Sequence, residues 1–303
     1  MMELDRSIRL AAFDWLSQQE KLYGESLPRD LLMKGFRWRD SRIPLVSPQG
    51  IFKPKQLELP LTITTAPNGP YNDTFLEEGG ALGYRYRGSD PFHRDNVGLR
   101  TCMQKGIPLI YFYGVMPGIY VAVWPVLIVG DEPQRLTFRI QVDDPHKLVN
   151  RSREGEWLVS EEDSAVRRYI TVATRHRLHQ TAFREKVLQA YRRQCTLCRL
   201  RHQELLDAAH IIEDSSPAGE PRVQNGLALC KIHHAAFDRH IIGITPDYVV
   251  EVRLDILEEI DGPMLEHGLQ GLHRKGLHLP YTRKLYPDRD LLAWRYEEFR
   301  KII

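Results

Sequence analysis

Three cysteines and one histidine in the C-terminal half are spaced as ligands of a metal ion. Cys195 and Cys198 are separated by two residues, and Cys230 and His233 repeat that spacing after thirty-one intervening residues. Thiolate and imidazole groups in such pairs are typical of a closed, tetrahedral zinc site. We therefore predict that these four side chains hold one structural Zn²⁺.

A second histidine, His234, directly follows the predicted zinc ligand His233. Adjacent residues of a helix point about 100° apart. If His233 turns toward the zinc, His234 faces a groove on the other side of the helix. It is then available as a ligand of a second, catalytic ion.

Two further residues lie between the ligand pairs, His210 in DAAHII and Asn225 in QNGLALC. His210, Asn225 and His234, in this order and within paired zinc knuckles, resemble the HNH endonucleases. Their ββα-metal fold is a two-stranded hairpin followed by a helix. The resemblance covers roughly residues 180–245, and DAAHI and NGLALCKIHHAAFD are similar to HNH proteins of bacterial restriction systems.

The resemblance implies a role for each residue in phosphodiester hydrolysis. His210 would be the general base, because an imidazole with a pKa near neutrality can take a proton from water. His234 would bind a catalytic Mg²⁺ or Mn²⁺ that contacts the scissile phosphate. Asn225 would brace the loop between the strands and orient His210.

One position departs from the family pattern. Many HNH proteins have an acid or a histidine immediately before the base as a second metal ligand, and that position is Ala209 here. Asp207, on the same strand face as Ala209, is the first candidate to replace it. Asp238, one helical turn after His234, is the second.

Basic residues are concentrated just before the ligand cluster. The net charge of the chain is only +2, but the window 167–201 contains ten Lys or Arg residues and one acid, Glu185. Such a run is commonly a solvated face, but beside a metal cluster it is better explained as a surface for the phosphates of double-stranded DNA. The predicted DNA-binding residues are Arg175, Arg177, Arg184, Lys186, Arg192, Arg193, Arg199 and Arg201.

The sequence upstream predicts a different kind of domain. A helical start and a second short helix near PRDLLMKGF are followed by strand-like runs separated by Gly, Pro and Asn turns. This pattern predicts a mostly antiparallel, barrel-like β domain over 1–145. Residues 146–178 are predicted to form a linker with a basic segment, and 179–303 a zinc-stabilised ββα-metal domain with flanking helices. The expected fold class is α+β.

Aromatic and basic residues alternate in the predicted β domain, in GYRYRGSDPFHRDNVGLR and PLIYFYG. The pattern would suit a base-stacking pocket framed by arginines. It equally describes a half-buried strand with tyrosines inward and arginines outward. The residues predicted to read a base are Tyr84, Arg85, Tyr86, Arg87, Tyr111 and Tyr113.

The architecture resembles modification-dependent restriction enzymes, in which an SRA or PUA-like barrel precedes an HNH domain, although the sequence carries no diagnostic motif of that barrel. The leading hypothesis is a metal-dependent endonuclease that restricts modified or foreign DNA and acts as a homodimer to cut both strands. Two alternatives stay open: a non-catalytic, zinc-stabilised nucleic-acid-binding protein, and a homing or recombination-type nickase. The apolar runs are too short for a membrane span, and no signal peptide is evident, so we expect a cytoplasmic protein.

Overall fold

Two compact units make up the described part of the chain. The computed structural model describes residues 2–67, 75–76, 80–145, 163–217, 219–260 and 262–302. The chain divides into Met1–Thr181 and Ala182–Ile303. Each unit has a hydrophobic core of its own. The predicted domain limits, 1–145 and 179–303, stay a prediction.

The N-terminal unit is built on strands that the apolar runs of the sequence largely predict. The strands are β1 (Ser26–Pro28), β2 (Phe36–Trp38), β3 (Ser41–Ile43), β4 (Ile51–Phe52), β5 (Thr62–Thr65), β6 (Phe75–Leu76), β7 (Ala81–Arg85), β8 (Leu109–Met116), β9 (Ile119–Glu132) and β10 (Thr137–Val142). Strands β2 and β3 form a small hairpin. The other eight form one sheet in the order β4, β5, β8, β9, β10, β7 and β6, with β1 paired to β9. Every described pair is antiparallel except β5 with β8.

The first helix, α1 (Met2–Tyr23), packs against this sheet. Its buried residues recur at helical spacing, at Ile8, Ala12 and Leu16, and belong to one cluster with Phe112 of β8. Burying an isoleucine or leucine side chain such as that of Ile8 or Leu16 stabilises the fold by about 2 kcal/mol. The predicted helical start therefore supplies one wall of the N-terminal core.

Two further short helices lie among the described residues of the N-terminal unit. The sequence predicts α2 (Arg29–Lys34) but not α3 (Arg94–Gln104), which occupies the second half of the predicted reader segment. His93 caps α3, because its Nδ1 accepts a hydrogen bond from the backbone N–H of Asp95 at 3.2 Å. Only a narrow stripe of α3, which includes Leu99, is buried. The helical spacing of the buried residues is therefore hard to recognise among the charged residues of this segment.

The longest helix, α4 (Ser164–Ala190), crosses the limit between the two units. The sequence predicts a linker over 146–178. Of that range, 146–162 lies outside the described residues, whereas nearly all of the remainder is helical, with Thr171 and Leu178 buried. Buried threonines on one stripe explain why the segment looks polar in sequence. Although α4 has 27 residues, neither it nor any other helix among the described residues is long and apolar enough to cross a membrane.

The C-terminal unit contains the predicted ββα element. Strands β11 (Leu206–His210) and β12 (Gly226–Cys230) pair antiparallel, and α5 (Lys231–Asp238) follows directly. The predicted α+β fold class, with a β-rich N-terminal unit and a ββα element in the C-terminal unit, is confirmed. A second hairpin and three helices complete the unit: β13 (Ile242–Ile244), β14 (Val250–Val252), α6 (Leu254–Glu258), α7 (Pro263–Gly268) and α8 (Arg289–Arg300).

Candidate active site and zinc centre

The four predicted zinc ligands meet at one point in the C-terminal unit. Nδ1 of His233 lies 3.3 Å from Sγ of Cys195 and 3.2 Å from Sγ of Cys230. Sγ of Cys198 lies 4.0 Å from Sγ of Cys230, and all four ligand atoms are within 4.8 Å of one another. A tetrahedral zinc ion with bonds of about 2.0–2.3 Å keeps its ligand atoms roughly 3.5–3.8 Å apart. The cluster therefore fits the ion.

A backbone carbonyl fixes the orientation of the histidine in this cluster. Nε2 of His233 lies 2.8 Å from the carbonyl oxygen of Gly268 at the end of α7. A ring nitrogen that donates to a carbonyl leaves the other nitrogen free to bind metal. The site thus ties the Cys195–Cys198 knuckle, the start of α5 and the end of α7 together.

Asn225 holds the loop that follows His210. The side chain of Asn225 is fully buried. Its Oδ1 accepts a hydrogen bond from the N–H of Ile212 at 2.9 Å, and its Nδ2 donates to the carbonyls of Ile212 at 2.9 Å and Glu220 at 3.2 Å. These contacts join two parts of the loop between β11 and β12, and the role of Asn225 in orienting His210 stays a prediction.

His210, the last residue of β11, is half-buried and lies opposite Gly226 in the hairpin. Its ring stacks on Phe183, with centroids 4.0 Å apart and planes inclined by 12°. Within the described residues its buried Nε2 has no hydrogen-bond partner. Burial lowers the pKa of His210, partly offset by the negative charge of Asp214. The neutral, proton-accepting form is therefore favoured near pH 7.

His234 lies between two carboxylates. Its Nδ1 is 3.6 Å from Oδ2 of Asp207, and its Nε2 is 3.3 Å from Oδ2 of Asp238. The nearby carboxylate of Asp207 raises the pKa of His234, although burial opposes this. His233 is buried and His234 half-buried, so the two adjacent imidazoles face different surroundings, as their helical spacing predicts.

Two basic residues already neutralise Asp207. Nζ of Lys231 lies 2.6 Å from its Oδ2, and Nε of Arg184 lies 3.5 Å from its Oδ1. Burial raises the pKa of Asp207, but His234 and Lys231 outweigh that effect and hold it well below its usual range. The sequence does not single out Lys231, although its position one helical turn before His234 is a usable signal.

The predicted DNA-binding residues fall into two groups. Arg184 and Arg193 bind the buried Glu185, with nitrogen–oxygen distances of 3.2 and 2.9 Å. Arg193 thus pairs with an internal carboxylate, and Arg184 is shared between Glu185 and Asp207. The sequence alone does not reveal these pairs. The half-buried residues are Arg175, Arg177, Arg184 and Arg193, and the exposed ones are Lys186, Arg192, Arg199 and Arg201. The exposed group is the better candidate for phosphate contacts.

The predicted reader residues border a pocket of about 250 Å³ in the N-terminal unit. Four of the six line it: Tyr84, Arg85, Tyr86 and Arg87. The alternating pattern of a half-buried strand is present as well, because both tyrosines are buried and Arg85 is exposed. Tyr111 and Tyr113 do not line the pocket. The hydroxyl of Tyr111 instead lies 3.0 Å from Oγ1 of the pocket residue Thr65.

Residues 195–245 match the family model described as HNH endonuclease. Two solved structures are similar to the chain at low identity. The modification dependent TagI restriction endonuclease is 17% identical, with a TM-score of 0.32, over 79% of this chain and 81% of that one. The Type IV phosphorothioation-dependent restriction endonuclease ScoMcrA is 13% identical, with a TM-score of 0.23, over 84% of this chain and 55% of that one. A comparison with curated proteins finds no match. The resemblance to HNH endonucleases is thus confirmed over residues 195–245, which include the histidines, the asparagine and the zinc ligands described above.

Proposed function

We propose that the protein is a metal-dependent endonuclease that hydrolyses DNA phosphodiester bonds and restricts modified or foreign DNA. One observation carries the proposal. A half-buried imidazole with an unbonded, buried Nε2, His210, ends the first strand of a ββα unit whose helix carries His234 between two carboxylates. Water activation at a phosphate needs a proton acceptor and a metal ligand, and one ββα unit carries a candidate for each.

Asp238 is a better partner of His234 in metal binding than Asp207. The carboxylate of Asp207 is neutralised by Lys231 and Arg184, which weakens its attraction for a cation. Asp238 is largely exposed, and among the described residues its one ion-pair partner is His234. We infer that the nearby charge of Asp207, 3.6 Å from Nδ1 of His234, favours the proton on Nδ1. Nε2 and Asp238 would then hold Mg²⁺ or Mn²⁺. This reverses the order of preference given by the sequence.

Each residue then has one task in the reaction. His210 accepts the proton of the attacking water, and Asn225 keeps the backbone after His210 in place. The divalent ion, when bound, supplies positive charge to the phosphate and to the leaving 3′ oxygen. The four exposed basic residues, Lys186, Arg192, Arg199 and Arg201, are proposed to contact the phosphates of double-stranded DNA.

The N-terminal unit is proposed to select the target. The pocket beside Tyr84 and Tyr86 offers aromatic side chains. Arg85 at its lining is exposed and suits a flanking phosphate, whereas Arg87 is paired with Asp95. One catalytic centre per chain would cut one strand, so double-strand cleavage would require a homodimer.

A substitution of His210 tests the activity. We expect His210→Ala to abolish cleavage in Mg²⁺ and in Mn²⁺ while zinc content and thermal unfolding stay as in the wild type. His202→Ala, at an exposed histidine in the same region, is the matched control and should cut normally. Plasmids with different base modifications serve as substrates. Retained cleavage by His210→Ala would refute the proposal.

Two other outcomes would favour the alternatives. Binding without cleavage, in every divalent metal and on every modified plasmid, would indicate a non-catalytic nucleic-acid-binding protein. Single-strand nicks at one long site would indicate a nickase.

The metal ligands are tested by direct titration with Mn²⁺ in the absence of DNA. Asp238→Asn should weaken Mn²⁺ binding strongly, because it removes a ligand. Asp207→Asn should weaken it by about 10-fold, the effect of losing an outer-shell partner. A larger loss from Asp207→Asn than from Asp238→Asn would restore Asp207 as the ligand.

A further inference from the structure

The aromatic ring beneath His210 comes from outside the segment that matches the HNH model. Phe183 belongs to α4, twelve positions before that segment begins at residue 195. It is 3% exposed and belongs to the core of the C-terminal unit. Its ring lies nearly parallel to the imidazole, at a centroid separation of 4.0 Å. The contact is therefore a full stack between a core side chain and the proposed general base.

A glycine makes room for this stack. Gly226 pairs with His210 across the hairpin. A Cβ at Gly226 would lie 2.9 Å from Cζ of Phe183 and 2.4 Å from Cγ2 of Val187. Both distances are shorter than side chains tolerate, so any larger residue at 226 would push α4 or the Phe183 ring away. Phe183 reaches His210 because position 226 has no side chain.

The stack restrains the ring where hydrogen bonding does not. Nε2 of His210 is buried and has no hydrogen-bond partner among the described residues, so no such bond fixes that edge of the imidazole. Turning the ring about its Cβ–Cγ bond would drive one edge into the face of Phe183. The flat contact thus limits the ring plane and, because it lies against the ring face, covers neither in-plane nitrogen lone pair.

We propose that Phe183 is a positioning residue for the general base, which it holds in a fixed plane from the core side of the hairpin. The inference rests on the proposed function for the role of His210. It goes beyond that function, because it gives a positioning role to a residue of α4 that lies outside the matched segment.

The first test is the Phe183→Leu variant of the full-length, zinc-loaded protein. Leucine keeps an apolar side chain in the core but has no flat face. We expect kcat for DNA cleavage to fall about 10- to 100-fold, the size of effect that small misplacement of a reacting group produces. KM should change little, because DNA contacts are untouched. Val187→Ala is the matched control, because it shortens a buried neighbour one turn along α4 but keeps the Phe183 ring, and its kcat should stay near the wild-type value.

A second variant reaches the same contact from the other side. Gly226→Ala should displace Phe183 and lower kcat in the same way. In the Phe183→Leu background part of the effect of Gly226→Ala should be lost, because the clash with Phe183 is relieved while that with Val187 remains. The two changes should therefore not be fully additive. Full additivity would contradict a shared contact.

The third measurement does not depend on activity. Protons of the His210 ring, assigned by their loss in His210→Gln, should resonate upfield of those of other histidines because of the Phe183 ring current. The resonances should return to ordinary positions in Phe183→Leu.

The possible results separate this inference from the proposed function. Unchanged kcat in Phe183→Leu together with lost upfield shifts would overturn the positioning role while the nuclease function stands. Absence of upfield shifts in the wild type would overturn the stack itself. A wild-type protein that cuts no DNA despite the shifts would overturn the proposed function, and with it the positioning role.

Discussion

The amide of Asn225 should contribute more to stability than any exposed amide in the same region, and substitution to alanine measures this. The Asn225 side chain joins two parts of one loop through bonds to the N–H and carbonyl of Ile212 and to the carbonyl of Glu220. The two Ile212 bonds are buried. Alanine at 225 would leave both of these backbone groups without a partner.

The magnitude follows from the two buried groups. A buried polar group left without its partner costs about 1–3 kcal/mol, so two give about 4 kcal/mol in the free energy of unfolding. The neighbouring Gln224 donates one hydrogen bond, to the carbonyl of Lys284 at 2.8 Å, from an exposed site. Water replaces that bond, and Gln224→Ala should cost only about 0.5 kcal/mol. The two adjacent amides form a matched pair.

Asn225→Asp should make the loss of stability depend on pH. The carboxylate keeps the acceptor for the Ile212 N–H, but it would face the carbonyl oxygens of Ile212 and Glu220 without a donor. At neutral pH the variant should therefore be at least as unstable as Asn225→Ala. Protonation of the new carboxyl restores one donor, so the stability difference from wild type should narrow as the pH falls.

The assay must report on the C-terminal unit alone, because a chain with two units need not unfold in one step. Hydrogen exchange of the peptide 206–217, measured across a guanidinium series, gives its opening free energy directly. The reasoning is refuted if Asn225→Ala opens within about 1 kcal/mol of wild type, or if Gln224→Ala costs as much as Asn225→Ala.

Three further outcomes are expected. Cys198→Ser should lose the bound zinc and unfold the C-terminal unit at a lower denaturant concentration. Cys102→Ser, at a buried cysteine outside the cluster, should keep one zinc per chain by metal analysis. Equal zinc content in both variants would contradict the assigned ligands. Burial lowers the pKa of His210. The midpoint of the acidic limb in the pH profile of kcat/KM should therefore lie below about pH 6.5, the ordinary histidine pKa. A midpoint above that pH would argue against His210 as the base. Arg201→Gln should reduce the slope of the logarithm of the DNA-binding constant against the logarithm of salt concentration by about 0.9. Arg193→Gln should leave this slope unchanged and instead lower the stability of the protein, since Arg193 is paired with a buried carboxylate.

Local spacing made much of the zinc centre and of the hairpin–helix unit predictable. Ligand pairs two residues apart stay close in any knuckle, so the two halves of the cluster can be recognised without knowledge of the fold. The adjacent histidines His233 and His234 likewise follow from the angle between helix positions. The bracing position of Asn225 depended on the family resemblance, because a buried amide has no local pattern of its own.

Contacts between distant elements could not be predicted in this way. The stack of Phe183 on His210 joins α4 to β11, and no spacing rule links the two positions. The burial of Glu185 between Arg184 and Arg193 removes two charges from a run that looks uniformly available for DNA. Both features depend on tertiary packing, which overrides what each segment suggests by itself.

The packing of Ala209 accounts for the departure from the family pattern, and it bears on which element is proposed to supply the ligands of the catalytic ion. Ala209 is fully buried in the core of the C-terminal unit. A carboxylate at this point would have to be desolvated at a cost of several kcal/mol, so β11 offers no ligand there. Helix α5 can provide two instead, because His234 and Asp238 are four residues apart and lie on one face. Their ligand atoms are 3.3 Å apart, close to the roughly 3 Å between neighbouring ligands of an octahedral Mg²⁺ with bonds of about 2.1 Å. The helix would then position the ion, and the strand would position only the base.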